Sequence, residues 1–232
     1  MEFTKSLIKG KLVKRYKRFF ADIKLKNQVV VAHCPNTGSM MGLLDEGNEV
    51  FISKNDDPKR KLKYTLEIIK VKKNLVGVNT HFANKIAFHG LSNNLVKEVK
   101  NSNNIKPEVF FDKETRFDFL VEKDNQKTFV EVKNVTLSRK DKLAEFPDAV
   151  TSRGSKHLKT LIEATKKGYK TYLLFLVQIQ GVTDFKIAKD IDKEYYENYK
   201  LAKKAGVKFL AYRCKISSKE IKIEKKIKII ND

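Results

Sequence analysis

The stretch "RFDFLVEKDNQKTFVEVKNVTL", Arg116 to Leu137, constrains the fold more than any other part of the chain. Two apolar runs flank "KDNQ", and Asp124-Asn125 suits the centre of a tight turn, so the stretch reads as a β-hairpin. Side chains alternate along a strand. That groups Arg116, Asp118 and Leu120 on one face and Phe117 and Phe119 on the other. On the second strand Phe129, Glu131 and Lys133 share a face, with Val130 and Val132 opposite. Centring the turn between residues 124 and 125 sets Asp118 against Glu131 and Arg116 against Lys133, with facing Cβ atoms ~5 Å apart.

Two facing carboxylates repel, and burying them unpartnered costs several kcal/mol or forces one to keep a proton. A divalent cation resolves the conflict. Mg²⁺ (or Mn²⁺) takes hard oxygen ligands, commonly one or two carboxylates completed by water and substrate phosphate. Lys133, two residues on, points the same way and can orient a water or neutralise charge growing on a phosphate. Phosphodiester hydrolysis needs that set. The alternative is a structural salt bridge, Asp118 with Lys133 or Arg116, on an exposed sheet face.

Around the hairpin the pattern is mixed. The first ~80 residues read as short strands in a small β-barrel or closely wound sheet. "SLIKGKLVKRYKRFFADIKL" alternates and reads as one strand, followed by "QVVVAHC", a turn-rich "PNTGSM", "NEVFISK", "KLKYTLEIIKV" and "LVGVNT". A helix-containing part begins near Thr80 with "HFANKIAFHGLSNNLVKEV". This divides the chain into residues 1–80 and 81–232. From Ile105 the expected order is strand, strand, strand, helix, strand, helix, strand, strand. The first of those helices covers Ser152 to Lys167, with Leu158, Leu161, Ile162 and Thr165 inward and Gly168 as its stop. "YKTYLLFLVQI" reads as a central strand covered on both sides. Asp192 caps a second helix with Tyr195, Tyr199, Ala202 and Ala205 inward, and "EIKIEKKIKII" reads as an edge strand.

The net charge of +21 suggests a polyanionic partner, since phosphate neutralisation with counterion release drives binding by basic proteins. Lys supplies 42 of the 49 basic residues, so coding bias is a competing source of that charge. Cys34 and Cys214 are far apart and build neither a disulfide framework nor a zinc cluster. No apolar run approaches the ~18 residues of a membrane span, and Lys interrupts the N-terminal apolar residues, so the expected place is the cytoplasm.

The hairpin's residue pattern resembles the PD-(D/E)-x-K nuclease superfamily, whose acidic strand is followed by an E-x-K strand, a helix and a central strand. Over most of its length the chain also resembles the sugar fermentation stimulation protein A family. The matching stretches run in order: "KRYKRFFADI", "AHCPNTGSMMGL", "RKLKYTLEI", "VGVNTHFAN", "RFDF", "VEVKNVTL", "FPDAV", "RGSKHLKTL" and "LLFLVQ". The resemblance implies an α/β (α+β) chain: an N-terminal OB-like barrel and a C-terminal nuclease-like α/β sandwich with a mixed central sheet. It also implies DNA binding associated with sugar (maltose) utilisation genes. Carried over, Asp118 and Glu131 hold the metal and Lys133 is the catalytic lysine. Glu108 in "KPEVFF" is a further acid for the metal or a solvated residue before a strand, and Gln178 faces the site or bonds backbone in the core. One departure is Ile179, where the family pattern "LVQR" has a basic residue.

Candidate DNA contacts follow from cations interleaved with aromatics or placed near turns and helix starts. "KRYKRFF" offers Arg15, Tyr16, Lys17 and Arg18, the mixture with which OB-type barrels bind strands. Read as a strand, it sets Arg15, Lys17 and Phe19 on one face and Tyr16, Arg18 and Phe20 on the other. Asn36, Thr37 and Ser39 form a loop able to cradle a phosphate or brace two domains. Arg116 adds a cation at the hairpin, and "SRGSKHL" puts Arg153, Lys156 and His157 at a helix start, where an anion is favoured; His157 is otherwise a partly exposed surface residue. Three functions remain in view: a DNA-binding regulator with a nuclease-like metal centre, an active Mg²⁺-dependent DNA endo- or exonuclease, and a Lys-rich protein whose charge is compositional. Either a monomer or a dimer is compatible with the sequence.

Overall fold

The computed structural model describes residues 1–230. The N-terminal strands are β1 Ile8–Tyr16, β2 Phe20–Lys24, β3 Val29–His33, β4 Glu49–Lys54, β5 Tyr64–Val71 and β6 Asn74–Gly77. They pair in the order β3-β2-β1-β4-β5-β6, and a parallel pairing of β3 with β5 closes the first five into a barrel. Strict alternation drives the closure. Leu12, Ala21, Ile23, Val30, Ala32, Val50 and Ile52 all belong to one core, with Asp22, Val31 and Phe51 between them on the other face. The single strand expected over residues 6–25 is two. Lys17 and Arg18 take positive φ (47° and 61°) in a turn that ends with Phe19 and folds β2 back on β1. The expected sharing of faces between Arg15, Lys17 and Phe19 therefore does not hold.

The second large sheet has the order β15-β14-β12-β9-β8-β7. Its strands are β7 Asn104–Phe110, β8 Arg116–Lys123, β9 Gln126–Val135, β12 Lys170–Val177, β14 Lys208–Ile216 and β15 Ile221–Lys226. β9, β12 and β14 run parallel and the outer pairs antiparallel, which makes the sheet mixed. Helix α1 (Ala83–Ser92) covers one face through Ile86, Ala87 and Leu91. On the other face lie α2 (Ser152–Lys166), through Leu158, Leu161 and Ala164, and α3 (Lys193–Lys204), through Tyr195, Tyr199 and Ala202. Thr151 and Asp192 cap the two helices with side-chain oxygens, and Gly168 and Gly206 at positive φ stop them. No described helix is long and apolar enough to cross a membrane.

A small third sheet was not foreseen. It joins β10 Leu137–Lys140, β11 Leu143–Phe146, β13 Asp184–Ile187 and β16 Lys228–Ile229. These strands have four residues or fewer and carry charges, too short for a period of two to stand out. Arg139 of β10 holds this sheet's buried acid. Its guanidinium donates to both oxygens of Glu145 at 2.8 Å and to Asp190. With Glu145 only 1% side-chain exposed, Arg139→Ala leaves a buried carboxylate with the backbone N–H of position 139 at 3.3 Å and Lys186 at 3.6 Å, and no guanidinium. We expect a loss of about 3–5 kcal/mol, read as a lowered urea midpoint. A midpoint within experimental scatter of the native one would show that the network carries no such load.

Candidate metal and nucleic-acid site

The hairpin keeps the expected register for most of its length. Asp124 and Asn125 form the turn, both at positive φ, and pairs run from Lys123–Gln126 up to Phe119–Val130. There the ladder stops, one step short of Asp118 and Glu131. Instead of a backbone partner, the Val132 N–H donates to Asp118 Oδ2 at 2.7 Å. The alternation of β8 slips at the same point. Phe117 stacks near Phe129 on the α2 side, with ring centres 4.9 Å apart, while Phe119 meets Phe88 of α1 at 6.1 Å. Phe117 and Phe119 thus lie on opposite faces, and Leu120 joins the core on the Phe117 side. Opposite the slip, Glu108 sits at φ 54° and the 108–118 pair is skipped in the β7–β8 ladder.

Asp118 and Glu131 reach the same place from different layers. Asn84 of α1 donates to Asp118 Oδ1 at 2.8 Å. Glu131, 2% exposed, is held from the α2 side: His157 Nδ1 and the Lys133 ammonium (2.7 Å) both meet its Oε1. The second oxygen, Oε2, is buried and has no hydrogen-bond partner. Burial, and then the Glu131 charge, push the Asp118 carboxyl up to about 6 against the hydrogen bonds from Val132 and Asn84. Burial works against Glu131 as well. Lys133 and His157 outweigh it and hold that carboxyl below the usual range. Among the described residues no three carboxylate, imidazole or thiol groups gather as a metal cluster. The donor set is two acids, one with a free oxygen, which fits an ion that takes its remaining ligands from water or phosphate.

The other candidates divide. Glu108 is mostly exposed, paired to Arg116 at 3.5 Å, and reaches Asp118 only through Asn84 (3.4 Å). Arg116 pairs across to Phe110 on β7 and lies over its ring, away from Lys133. Gln178 is buried, donates to the Asn134 side chain at 2.6 Å and touches neither acid. His157 is no surface residue: it is 9% exposed and packed against Glu131, with Arg153 Nε 3.4 Å from its far nitrogen. Lys156 points out to Glu114. Asn84, Asn134 and Asp148 also stand at the site or the cleft, and their small polar side chains carry no periodic signal in the sequence.

A cleft of about 620 Å³ runs between the barrel and the sheet; Asp118 and Glu131 are not in its lining, which reaches their strand at Asn134, next to Lys133. Arg15, Arg18, Asn36, Thr37 and Ser39 line the barrel side, Asn134 and Asp148 the other. Arg15 is spent on structure, donating to Asn36 O at 2.7 Å and Gly38 O at 3.2 Å. Asn36 is buried and braces the loop through Gly38 N–H (2.9 Å). A Cβ on Gly38 would fall 2.2 Å from the Asp148 carboxylate, so the bare position leaves room for that carboxylate where it stands. Arg18, Thr37 and Ser39 are exposed there. Lys17 is exposed on the turn, and Tyr16 stacks on Phe20 at 5.5 Å.

The strained Asp118 gives a pH prediction. Its folded-state value, about 6, lies above the ordinary 3.8, so the folded protein holds this proton more tightly than the unfolded chain. That stability is present below pH 3.8 and is lost as pH rises through about 6, a change of about 3 kcal/mol. Urea unfolding in chelator should show Asp118→Asn lacking this slope and more stable than the parent at pH ~7.5. Parallel pH profiles for the two proteins would contradict the assignment.

Known proteins agree with this architecture. Residues 13–78 match the profile of the SfsA N-terminal OB domain, and residues 81–220 that of the sugar fermentation stimulation protein RE domain. A sugar fermentation stimulation protein homolog of Pelagibacter ubique (strain HTCC1062) is 84% identical over 100% of both chains. One from Marinomonas sp. (strain MWYL1) is 42% identical over 99% of this chain and 90% of its own. The solved structure of Pyrococcus furiosus SfsA in complex with Ca²⁺ superposes with a TM-score of 0.88 at 24% identity, covering 100% of this chain and 98% of that one. With both profiles matched in order and a relative this similar end to end, the chain belongs to the sugar fermentation stimulation protein family.

Proposed function

We propose that the chain binds DNA along the cleft between residues 1–80 and 81–232, and that Asp118 and Glu131 hold a divalent cation, Mg²⁺ or Mn²⁺. One observation carries the reading: Glu131 Oε2 is buried without a partner, beside an aspartate strained by the same charge. The Ca²⁺ bound by the P. furiosus protein is in keeping with such a centre. Once bound, a cation of this kind polarises a phosphate and acidifies water. The chain's own residues do the rest. The Val132 N–H and Asn84 fix Asp118, while Lys133 and His157 engage Oε1 of Glu131 and leave Oε2 to an ion. Arg18, Thr37 and Ser39 present donors to the DNA backbone. In a family named for sugar fermentation, this DNA binding acts in the cytoplasm on sugar (maltose) utilisation genes.

A second reading, Mg²⁺-dependent hydrolysis of the bound DNA, is favoured by the position of Lys133. Its ammonium touches Glu131 and is 13% exposed, so it can face charge growing on a phosphate. In binding assays the affinity for DNA should fall steeply with salt, and Arg18→Ala should flatten the log–log slope by about one. No retention at physiological salt would remove the binding reading. If the centre hydrolyses DNA, single-stranded, duplex or branched substrate should be cut with Mg²⁺ or Mn²⁺ and spared in chelator. Lys133→Ala should abolish cutting and keep binding; cutting that survives in this variant would point to a contaminant.

A further inference from the structure

A separate recess of about 610 Å³ opens where the barrel meets the start of α1. His33 at the end of β3, Arg60 in the β4–β5 connection, and His81 and Lys85 around the α1 start line it. The two imidazole rings lie 6.3 Å apart. Arg60 donates to the Thr65 hydroxyl at 3.2 Å, and none of His33, His81, Arg60 or Lys85 is ion-paired among the described residues. Lys5 and Lys54, also on the rim, are already matched to Asp56.

Acids offer little compensation inside. Glu67 forms part of the floor, but Ser53 (2.6 Å) and Asn79 (2.7 Å) engage its two oxygens, and it is 2% exposed. Burial pushes its carboxyl up, opposed by those hydrogen bonds and by Arg60. Glu2 sits exposed at the rim. Burial, then His81 and Arg60, lower the pKa of His33, so these groups sense one another's charge. A planar guanidinium, an ammonium and two imidazoles line one recess over a polar floor with no carboxylate paired to any of them among the described residues. Their donors match a tetrahedral anion with several acceptor oxygens.

We propose that this recess is a phosphate-binding site in which Arg60, His33 and His81 engage a phosphate monoester and Lys85 closes the rim. The site goes beyond the cation centre and does not depend on hydrolysis there. It is nonetheless mechanically joined to it. Within one short segment, Thr80 donates to Pro35 O at the cleft loop, His81 and Lys85 face the recess, and Asn84 holds Asp118. The phosphate is either the 5′ end of a strand or a free small phosphate.

The test is side-chain NMR of the four histidines in the full chain, in chelator. The probes are inorganic phosphate, a 5′-phosphorylated oligonucleotide and its 5′-hydroxyl counterpart. His33 and His81 should shift saturably with inorganic phosphate while His89, exposed on α1, stays still. Arg60→Ala should weaken the response about ten-fold, the loss of one charge-assisted contact. An unchanged His157 signal confirms that the variant is folded. Stronger binding of the 5′-phosphorylated strand than of either other probe identifies a strand end; equal behaviour of the two oligonucleotides identifies a free phosphate. No shift at His33 and His81 at millimolar phosphate, or an undiminished response in Arg60→Ala, overturns the site. Lys133→Ala should leave these shifts intact, so a failure of the nuclease reading does not disturb the result.

Discussion

The hydrogen bond from Val132 N–H to the Asp118 carboxylate is the contact on which the site depends. A buried backbone N–H that loses its strand partner must find another acceptor. Here a charged side chain supplies it, at the point where β8 and β9 part. Three consequences follow. Asp118 is fixed at the gap instead of standing off one face. Phe117 and Phe119 are freed to enter opposite cores, tying β8 to both helical layers. Asn84 from α1 and Glu131, held by His157 of α2, then meet around one carboxylate.

The junction between barrel and sheet is held by backbone as much as by side chains. Gly77 N–H donates to Gln178 O at 3.0 Å, and Val76 bridges to Ile179. A Cβ at Gly77 would stand 2.4 Å from Gln178 Oε1, so the bare position lets β6 lie close against this side chain as it is placed. Ile179 is 3% exposed at this junction, so an apolar side chain suits the place. The cleft loop is a second tie: the Thr80 hydroxyl donates to Pro35 O (2.6 Å) and the Met40 N–H donates to Asp148 Oδ2 (3.5 Å).

Long periodic elements were legible in the sequence and short or irregular ones were not. The β8–β9 register, the central β12, both capped helices and the edge position of β15 follow from turn chemistry and apolar period. The barrel emerged from the alternation of its strands, though the positive-φ turn at Lys17 and Arg18 was hidden, since neither residue is a usual turn former. The slip at Asp118 was hidden for a different reason. It coincides with the left-handed Glu108 on the neighbouring strand β7, a feature that no local pattern in β8 reports. At the site Asp118, Glu131 and Lys133 were readable as a set. The burial of His157 was not, because "SRGSKHL" looks polar until α2 turns one face onto β9.

Two glutamates of equal burial, 2% exposed each, show how a structural charge differs from a candidate functional one. Glu145 has both oxygens on the Arg139 guanidinium, and Arg139 also binds Asp190, whose carboxyl is pushed down to about 2. Nothing in that network is left to bind. Glu131 has two cation-capable neighbours crowded on one oxygen and none on the other, while the nearby Asp118 is pushed up to about 6. A fold that needed Glu131 only for stability would satisfy both oxygens, since an unpaired buried carboxylate oxygen is costly. Here the cost falls on two acids that a single divalent ion would relieve together, and this asymmetry is the physical reason to look for function at Glu131 and not at Glu145.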